Sequence, residues 1–343
     1  MFKTIQPVIS AEELKRELAV PSELAAKRKR AVDTVVDIIT GKDKRKLFVV
    51  GPCSADDEDA VCDYASRIAR VADDIKDVIY IIIRAYTSKP RTRGDGYLGL
   101  LHAQKSLNGQ VDISDGLRAM RRLHMRCAAA SGLFTADEML YPDTTEYIDD
   151  IVSYIALGAR SADDQQHRFV ASGIDVAVGV KNSLNGDFFD LAGSVHAVSI
   201  SNEFLYNGNQ VKSNGNRAAH AVLRGAVDIY GNHIRNCCVG DIQRLYDVLD
   251  EQGIEKSVVI DAGHSNSGKN PFNQPNIILS TLKGIKNTPA LNSFVKGFML
   301  ESYIEDGNQP LGGGVYGKSV TDGCLGLEKT EMLLRAAADN IVL

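Results

Sequence analysis

The sequence predicts an α/β protein, a (β/α)8 TIM barrel with an N-terminal helical extension and an inserted β-ribbon before strand six. Three observations carry that expectation. From Lys46 onward, short β-branched runs alternate with longer amphipathic stretches, the pattern of βα units feeding a parallel sheet. Eight of those runs end in a residue able to bind an anion or a metal, and a closed barrel brings its C-terminal strand ends to one face, whereas an open doubly wound sheet would scatter them. At 343 residues the chain is long for one ordinary domain but fits a barrel with extensions.

Residues 1 to 45 read as a helical extension. Ser10 is placed to cap a first helix, with Glu13 as its capping-box partner, and a second helix from about Ser22 to Thr40 stops at Gly41. The barrel then occupies 46 to 343. Its strands are expected in LFVVGPC (47–53), VIYIIIRAY (78–86), LFTADEM (133–139), YIALGAR (154–160), VAVGVK (176–181), HAVLRG (220–225), VVIDAGH (258–264) and FVKGFMLES (294–302). A ninth run, AVSIS (197–201), is surplus to eight strands. Only about 20 residues rich in Gly and Asn separate it from the next run, so 197 to 214 reads as an inserted ribbon. There is no internal repeat and no low-complexity segment.

Composition narrows the function. A formal net charge of -5 argues against a nucleic-acid binder, so a basic cluster must be local and serve a small anion. No apolar run approaches the roughly 18 residues of a membrane span, and the first residues lack the apolar core of a signal peptide. A cytoplasmic protein is expected. The six cysteines form no regular framework and are expected as reduced thiols.

The strand ends carry in turn Cys53, Arg84, Glu138, Arg160, Lys181, Arg224, His264 and Glu301. With Lys89 and Arg91 of the Pro-stiffened loop RAYTSKPRT, the cations number six at one mouth: Arg84, Lys89, Arg91, Arg160, Lys181 and Arg224. They would repel one another without bound anions, and six suit more than one phosphate. Cys53, His264, Glu301 and, from the loop after the last strand, Asp322 make a mixed S/N/O set suited to Mn, Fe, Co or Zn. His102, His124, His196 and His233 lie in helical or loop stretches without matching partners and read as structural. A divalent metal beside a multi-phosphate pocket points to a carbonyl polarised by a Lewis acid and to aldol-type chemistry, with a sugar-phosphate aldolase or isomerase as the runner-up from the residues alone.

Eight collinear motifs resemble the class I 3-deoxy-D-arabino-heptulosonate-7-phosphate (DAHP) synthases: GPCS (51–54), KPRT (89–92), IALGARSADDQQHRFVASG (155–173), GVKN (179–182), LRG (223–225), DAGHSNSGK (261–269), ESYIEDGNQ (301–309) and YGKSVTDGCLG (316–326). The resemblance covers nearly the whole chain and implies a barrel transferase that condenses phosphoenolpyruvate with erythrose 4-phosphate, the first step of aromatic amino acid biosynthesis by the shikimate pathway. It implies one divalent ion, Mn2+ first and Fe2+, Co2+ or Zn2+ otherwise, on Cys53, His264, Glu301 and Asp322. It implies that phosphoenolpyruvate is held by Arg84, Lys89, Arg160, Lys181 and Arg224, with Glu138 and the Ala159 backbone nearby, and that Arg91 and Thr92 contact erythrose 4-phosphate. Lys89 and His264 are then the candidates for proton handling, and Cys53 serves chemistry as a ligand.

Some positions depart from the family pattern. Arg93 and Leu98 stand where a Thr and a Lys are usual, Leu327 replaces a Trp, and two prolines follow His264 in NPFNQP (270–275). Condensation with a different phosphorylated aldose, as in the octulosonate-phosphate synthases, is the alternative; KPRT and the N-terminal extension speak against it. A catalytically silent metabolite-binding paralogue is the other, and the complete ligand and cation sets weigh against that. In relatives the extension and the ribbon form a feedback site for an aromatic amino acid and join subunits, so an aromatic effector and a homodimer or homotetramer are expected, with Asp175 where such enzymes often carry Ser or Gly.

Overall fold

A computed structural model of the chain describes residues 1–91, 93–105 and 109–343. Eight parallel strands close into a barrel: β1 (Lys46–Gly51), β2 (Ile79–Arg84), β3 (Thr135–Glu138), β4 (Tyr154–Leu157), β5 (Ala177–Lys181), β6 (Ala219–Leu223), β7 (Val258–Asp261) and β8 (Val295–Glu301). Each pairs with the next in sequence, and β8 pairs with β1 with Gly51 opposite Glu301. Both faces of these strands are covered, which is why they read as continuous apolar runs. Inside the barrel the Tyr154 hydroxyl meets His220 Nε2 at 2.9 Å. The neighbouring Gly179 leaves room for that pair, since a Cβ there would lie 1.9 Å from the hydroxyl.

The extension forms helices over Ala11–Glu17 and Ser22–Ile39. Ser10 and Glu13 make the reciprocal capping box that their spacing predicts. The second helix buries Val35, Val36, Ile38 and Ile39 in the main core, and Ser257, just before β7, donates its hydroxyl to the Ile39 carbonyl. It therefore packs at the N-terminal end of the strands, opposite the charged strand ends.

The run AVSIS is not a strand. Its first residues finish the helix Phe188–Ser199, which Asp187 caps by accepting from the Phe189 and Asp190 amides. Leu191, Val195 and Val198 recur at helical spacing and are buried together, and that periodicity outweighs the local β-branched content. The ribbon is the hairpin Glu203–Tyr206 with Asn209–Lys212, inside the expected 197 to 214. Asn207 and Gly208 supply the two positive φ angles that a tight two-residue turn needs, 48° and 75°. A second short pair, Ala226–Val227 with His233–Ile234, follows β6.

Candidate metal and phosphate site at the barrel mouth

Cys53 lies in the loop just beyond β1, Glu301 ends β8, and Asp322 comes from the loop after it. The thiol and the two carboxylates approach within 4.8 Å of one another. His264, in the turn after β7, places Nε2 3.7 Å from Glu301 Oε1, just outside that cluster. Its φ of 49° is left-handed, a conformation uncommon outside Gly, though His shares with Asn and Asp some tolerance of it. Glu301 Oε1 is buried and accepts no hydrogen bond among the described residues. A buried carboxylate oxygen that accepts no hydrogen bond, beside a thiol, a second carboxylate and an imidazole, belongs to a donor set that fits a borderline divalent cation.

The backbone that carries Glu301 is held from an unexpected direction. Gln274 accepts from the Glu301 amide at 2.8 Å and donates to its carbonyl at 2.9 Å. The proline-rich stretch 270–275 thus ends in a side chain that clamps the last residue of β8.

Cations crowd against this cluster. Arg84 is fully buried, donates to the Pro52 carbonyl, lies 3.3 Å from Glu301 Oε1 and stacks 3.9 Å from the Tyr86 ring centroid. Burial works against its charge, but Glu301 and then Tyr86 more than offset it and hold its pKa above the ordinary value. Lys89 Nζ donates to Cys53 Sγ at 2.7 Å and to the Cys53 carbonyl at 3.2 Å. Burial, and then the Glu301 charge, push the Cys53 thiol up, while Lys89 pulls it down. The Glu301 carboxyl is itself held low: burial raises it, but His264 and Arg84 prevail.

Lys181 Nζ lies 3.1 Å from Asp261 Oδ2, and His264 Nδ1 lies 2.9 Å from the same oxygen, neither aligned as a hydrogen bond. Burial penalises the Asp261 charge, but His264 and Lys181 hold its carboxyl well below the usual range. Arg224, at the end of β6, donates to Ser265 Oγ at 3.1 Å and takes its backbone position from Asn182, which accepts from the Arg224 amide. Burial lowers its pKa, with Asp261 opposing and Arg160 adding repulsion, so Arg160 reaches the same electrostatic neighbourhood from its exposed position after β4.

The remaining expected residues lie around this centre. Ala159 sits beside Arg160, and Glu138 comes so close to Gly158 that a Cβ there would stand 1.9 Å from Glu138 Oε1. Arg91 donates Nε to the Tyr97 carbonyl at 3.0 Å and adds to the field that lowers the Asp322 carboxyl, after burial, which raises it, and Lys89 and Lys269, which lower it more. Thr92 lies outside the described residues. Leu98 meets Lys89 through its backbone, the Lys89 amide donating to its carbonyl at 3.0 Å, and Arg93 lies on the exposed surface 3.8 Å from Asp95.

Two features were not anticipated. Asp261 ends β7 as a buried acid between two expected site residues; its own place at a strand end was the signal. His124 does have partners, contrary to the expectation. Its Nε2 lies 3.1 Å from Asp137 Oδ2 and its Nδ1 2.9 Å from Thr135 Oγ1. Asp137 also accepts from the Thr87 amide and hydroxyl, at 2.9 and 2.5 Å. This strut ties the helix Ile113–Ser131 and β3 to the loop that presents Lys89.

Comparison with known proteins agrees with the barrel fold. Residues 18–335 match the DAHP synthetase I family. Over 339 residues the chain is 32% identical to the Tyr-sensitive phospho-2-dehydro-3-deoxyheptonate aldolase of Escherichia coli strain K12, covering 96% of this chain and 92% of that one. Over 313 residues it is 34% identical to the Phe-sensitive enzyme of the same strain, covering 89% and 86%. The structure of phospho-2-dehydro-3-deoxyheptonate aldolase from Francisella tularensis SCHU S4 superposes with a TM-score of 0.91 at 29% identity, covering 99% of this chain and 98% of that chain.

Proposed function

The chain belongs to the DAHP synthetase I family, and from that premise we propose that it joins phosphoenolpyruvate, erythrose 4-phosphate and water into DAHP, releasing inorganic phosphate, as a C–C bond-forming transferase at the head of the shikimate pathway. The observation that carries the reading is the contact between two sets: a thiol and two carboxylates within 4.8 Å, and buried Arg84, Lys89, Lys181 and Arg224 beside them. A metal site alone or a phosphate site alone would serve many reactions. Their fusion serves the attack of an enol phosphate on an aldehyde.

Cys53, Glu301, Asp322 and His264 would hold one divalent ion, manganese first and iron, cobalt or zinc otherwise. When bound, it supplies Lewis-acid polarisation of the aldehyde oxygen. Arg84, Lys181, Arg224 and Arg160 would grip the phosphate and carboxylate of phosphoenolpyruvate and present its C3, with Glu138 and the Ala159 backbone at the edge. Arg91 and Thr92 would take the phosphate of the aldose. Lys89 Nζ, against the Cys53 sulfur, and His264, backed by Asp261, are the groups that would hold and move protons. Burial of Arg84, Lys89, Lys181 and Arg224 keeps bulk water from screening them, so their contacts to the substrate are worth more than on an exposed surface.

The same reading includes regulation. The relatives named above are a Tyr-sensitive and a Phe-sensitive enzyme. A cavity of about 490 Å³ lies between the extension and the ribbon, lined by Lys15, Arg28, Asp175, Phe204 and Tyr206 among others, away from the barrel mouth. We place an aromatic amino acid effector there. Arg28 and Asp175 pair across it at 3.2 Å, so the ligand's own charges would have to compete with that pair. The exposed Phe2, Ile5, Val8 and Leu205 of the extension and ribbon are the surface through which a homodimer or homotetramer would form. Among the described residues no helix is long and apolar enough to cross a membrane.

The test is phosphate release from phosphoenolpyruvate with manganese, against erythrose 4-phosphate and arabinose 5-phosphate in parallel, before and after a chelator. Chelator-sensitive release with erythrose 4-phosphate alone is expected. Release with arabinose 5-phosphate alone would reassign the aldose, and release with neither would overturn the enzymatic reading.

A further inference from the structure

At the opposite end of the barrel, a second group of cations surrounds a cavity of about 450 Å³ that the reaction does not use. It lies between the loop entering β1, the segment 286–293 and Val342–Leu343. Five basic residues line it: Lys44, Arg45, Lys46, Lys286 and Lys296. Asp43 is the acidic side chain in the lining, and it is committed to Arg45, whose Nη2 lies 2.6 Å from its Oδ2.

The lysines are not otherwise neutralised. Lys296 is 9% exposed and lines the cavity, yet among the described residues its side chain makes no hydrogen bond and no ion pair; Glu255 supports its charge only through space. Lys44 and Lys286 also have no side-chain partner among the described residues, but both are exposed and hydrated, so the demand for an anion comes from Lys296 and Lys46. Lys46 is 4% exposed and spends two of its three ammonium donors on the carbonyls of Asn292 and Val295, at 2.5 and 2.7 Å. Burial and the neighbouring Lys296 bring its pKa down to about 8. Two lysines this little exposed, on the neighbouring strands β1 and β8 and neither paired with a side-chain carboxylate among the described residues, are costly unless an anion joins them.

We propose that this cleft is a second anion site, built for a small molecule bearing a phosphate or diphosphate group. Lys296 and the spare Lys46 donor, with the exposed Lys44 and Lys286 in the same lining, offer more donors than one carboxylate uses and suit a phosphate dianion or more. The volume is that of a small-metabolite pocket, with room beyond the phosphate for a body against Pro289, Val342 and Leu343. The inference does not depend on the reaction at the other end of the barrel.

The experiment is a calorimetric titration of the full chain with inorganic pyrophosphate, comparing wild type with Lys296→Met, Lys286→Glu and a control, Lys283→Glu, at an exposed helical position outside the cleft. Wild type and the control should bind one equivalent more than the other two variants, or bind it at least tenfold more tightly, with the same turnover in all four. Lys286 is exposed, so its variant decides the matter even if the Lys296 variant folds poorly. Equal binding in wild type and both cleft variants would overturn the proposal. So would equal weakening in the control, which would reduce the effect to general surface charge.

Discussion

Replacing Asp137 should disable the loop that carries Lys89 without removing any side chain expected to meet substrate. The Asp137 carboxylate is 1% exposed and takes four hydrogen bonds: from the Thr87 amide, the Thr87 hydroxyl, the Glu138 amide and His124 Nε2, at 2.9, 2.5, 2.8 and 3.1 Å. Asp137→Ala leaves these buried groups without an acceptor. An orphaned buried donor costs about 1–3 kcal/mol, and with partial relaxation the whole change should cost about 3–5 kcal/mol. Asp137→Asn is a sharper probe. One oxygen still accepts from the two amides, and the new amide group can donate to the Thr87 hydroxyl and to an imidazole that has moved its proton to Nδ1, so the loss should stay near 1–2 kcal/mol. Thr87 is two residues before Lys89, so the Ala variant should also lose about tenfold or more in kcat/KM, with the Asn variant recovering most of it. Urea unfolding and steady-state kinetics on both variants are the assay. An Ala variant as stable and as active as wild type would refute the strut.

Three further outcomes follow from the same structure. Because burial and Glu301 hold the Cys53 thiol up, and a thiolate is the ligating form, manganese binding should expel a proton; affinity should rise about tenfold per pH unit below the thiol pKa, and Cys53→Ser should abolish that slope in a calorimetric titration. Burial pushes His220 down to about 4, against an unfolded value of about 6.5. The native state therefore resists a proton that the unfolded chain accepts as the pH falls from 6.5 through 4, so stability is full above 6.5 and about 2 kcal/mol of it is lost at pH 5; His220→Gln should remove that part of the acid loss in urea melts. Gly158→Ala puts a methyl where Glu138 Oε1 sits, 1.9 Å away, and should displace that carboxylate. Since Gly158 does not use a positive φ, stability should change by less than about 1 kcal/mol while kcat/KM falls severalfold, a split visible by comparing melts with kinetics.

Much of this arrangement is legible in the chain because the barrel makes strand ends converge. A charged residue closing a buried β-branched run can be read locally, and that rule reaches Arg84, Lys181, Arg224 and Glu301. It passes over Asp261 when the run VVIDAGH is followed to its last ionisable residue, although the strand stops at Asp261 and His264 reaches the site from the turn beyond. Asp261 could still have been found, because an acid ending a central strand needs a buried cation and Lys181 was already in hand. His124 is different in kind. Its partner Asp137 is 13 residues away and Thr87 lies on another strand's loop, so no local stretch contains the motif. The ribbon could be read from its Gly and Asn content, but AVSIS could not be separated from a strand by composition; helical burial of Leu191, Val195 and Val198 decides it. The anion cleft at the far end was invisible because Lys46 and Lys296 are 250 residues apart and meet only when β8 closes on β1.

The central claim is that one divalent ion sits against the buried cations at the barrel mouth. The most direct measurement is anomalous diffraction at the manganese edge from crystals grown with manganese and phosphoenolpyruvate. The account predicts one strong peak bonded to Cys53 Sγ, His264 Nε2, Glu301 and Asp322, with the phosphate density of the ligand against Lys181, Arg224 and Arg160. A peak bonded to none of those four, or phosphoenolpyruvate bound away from them, would contradict it.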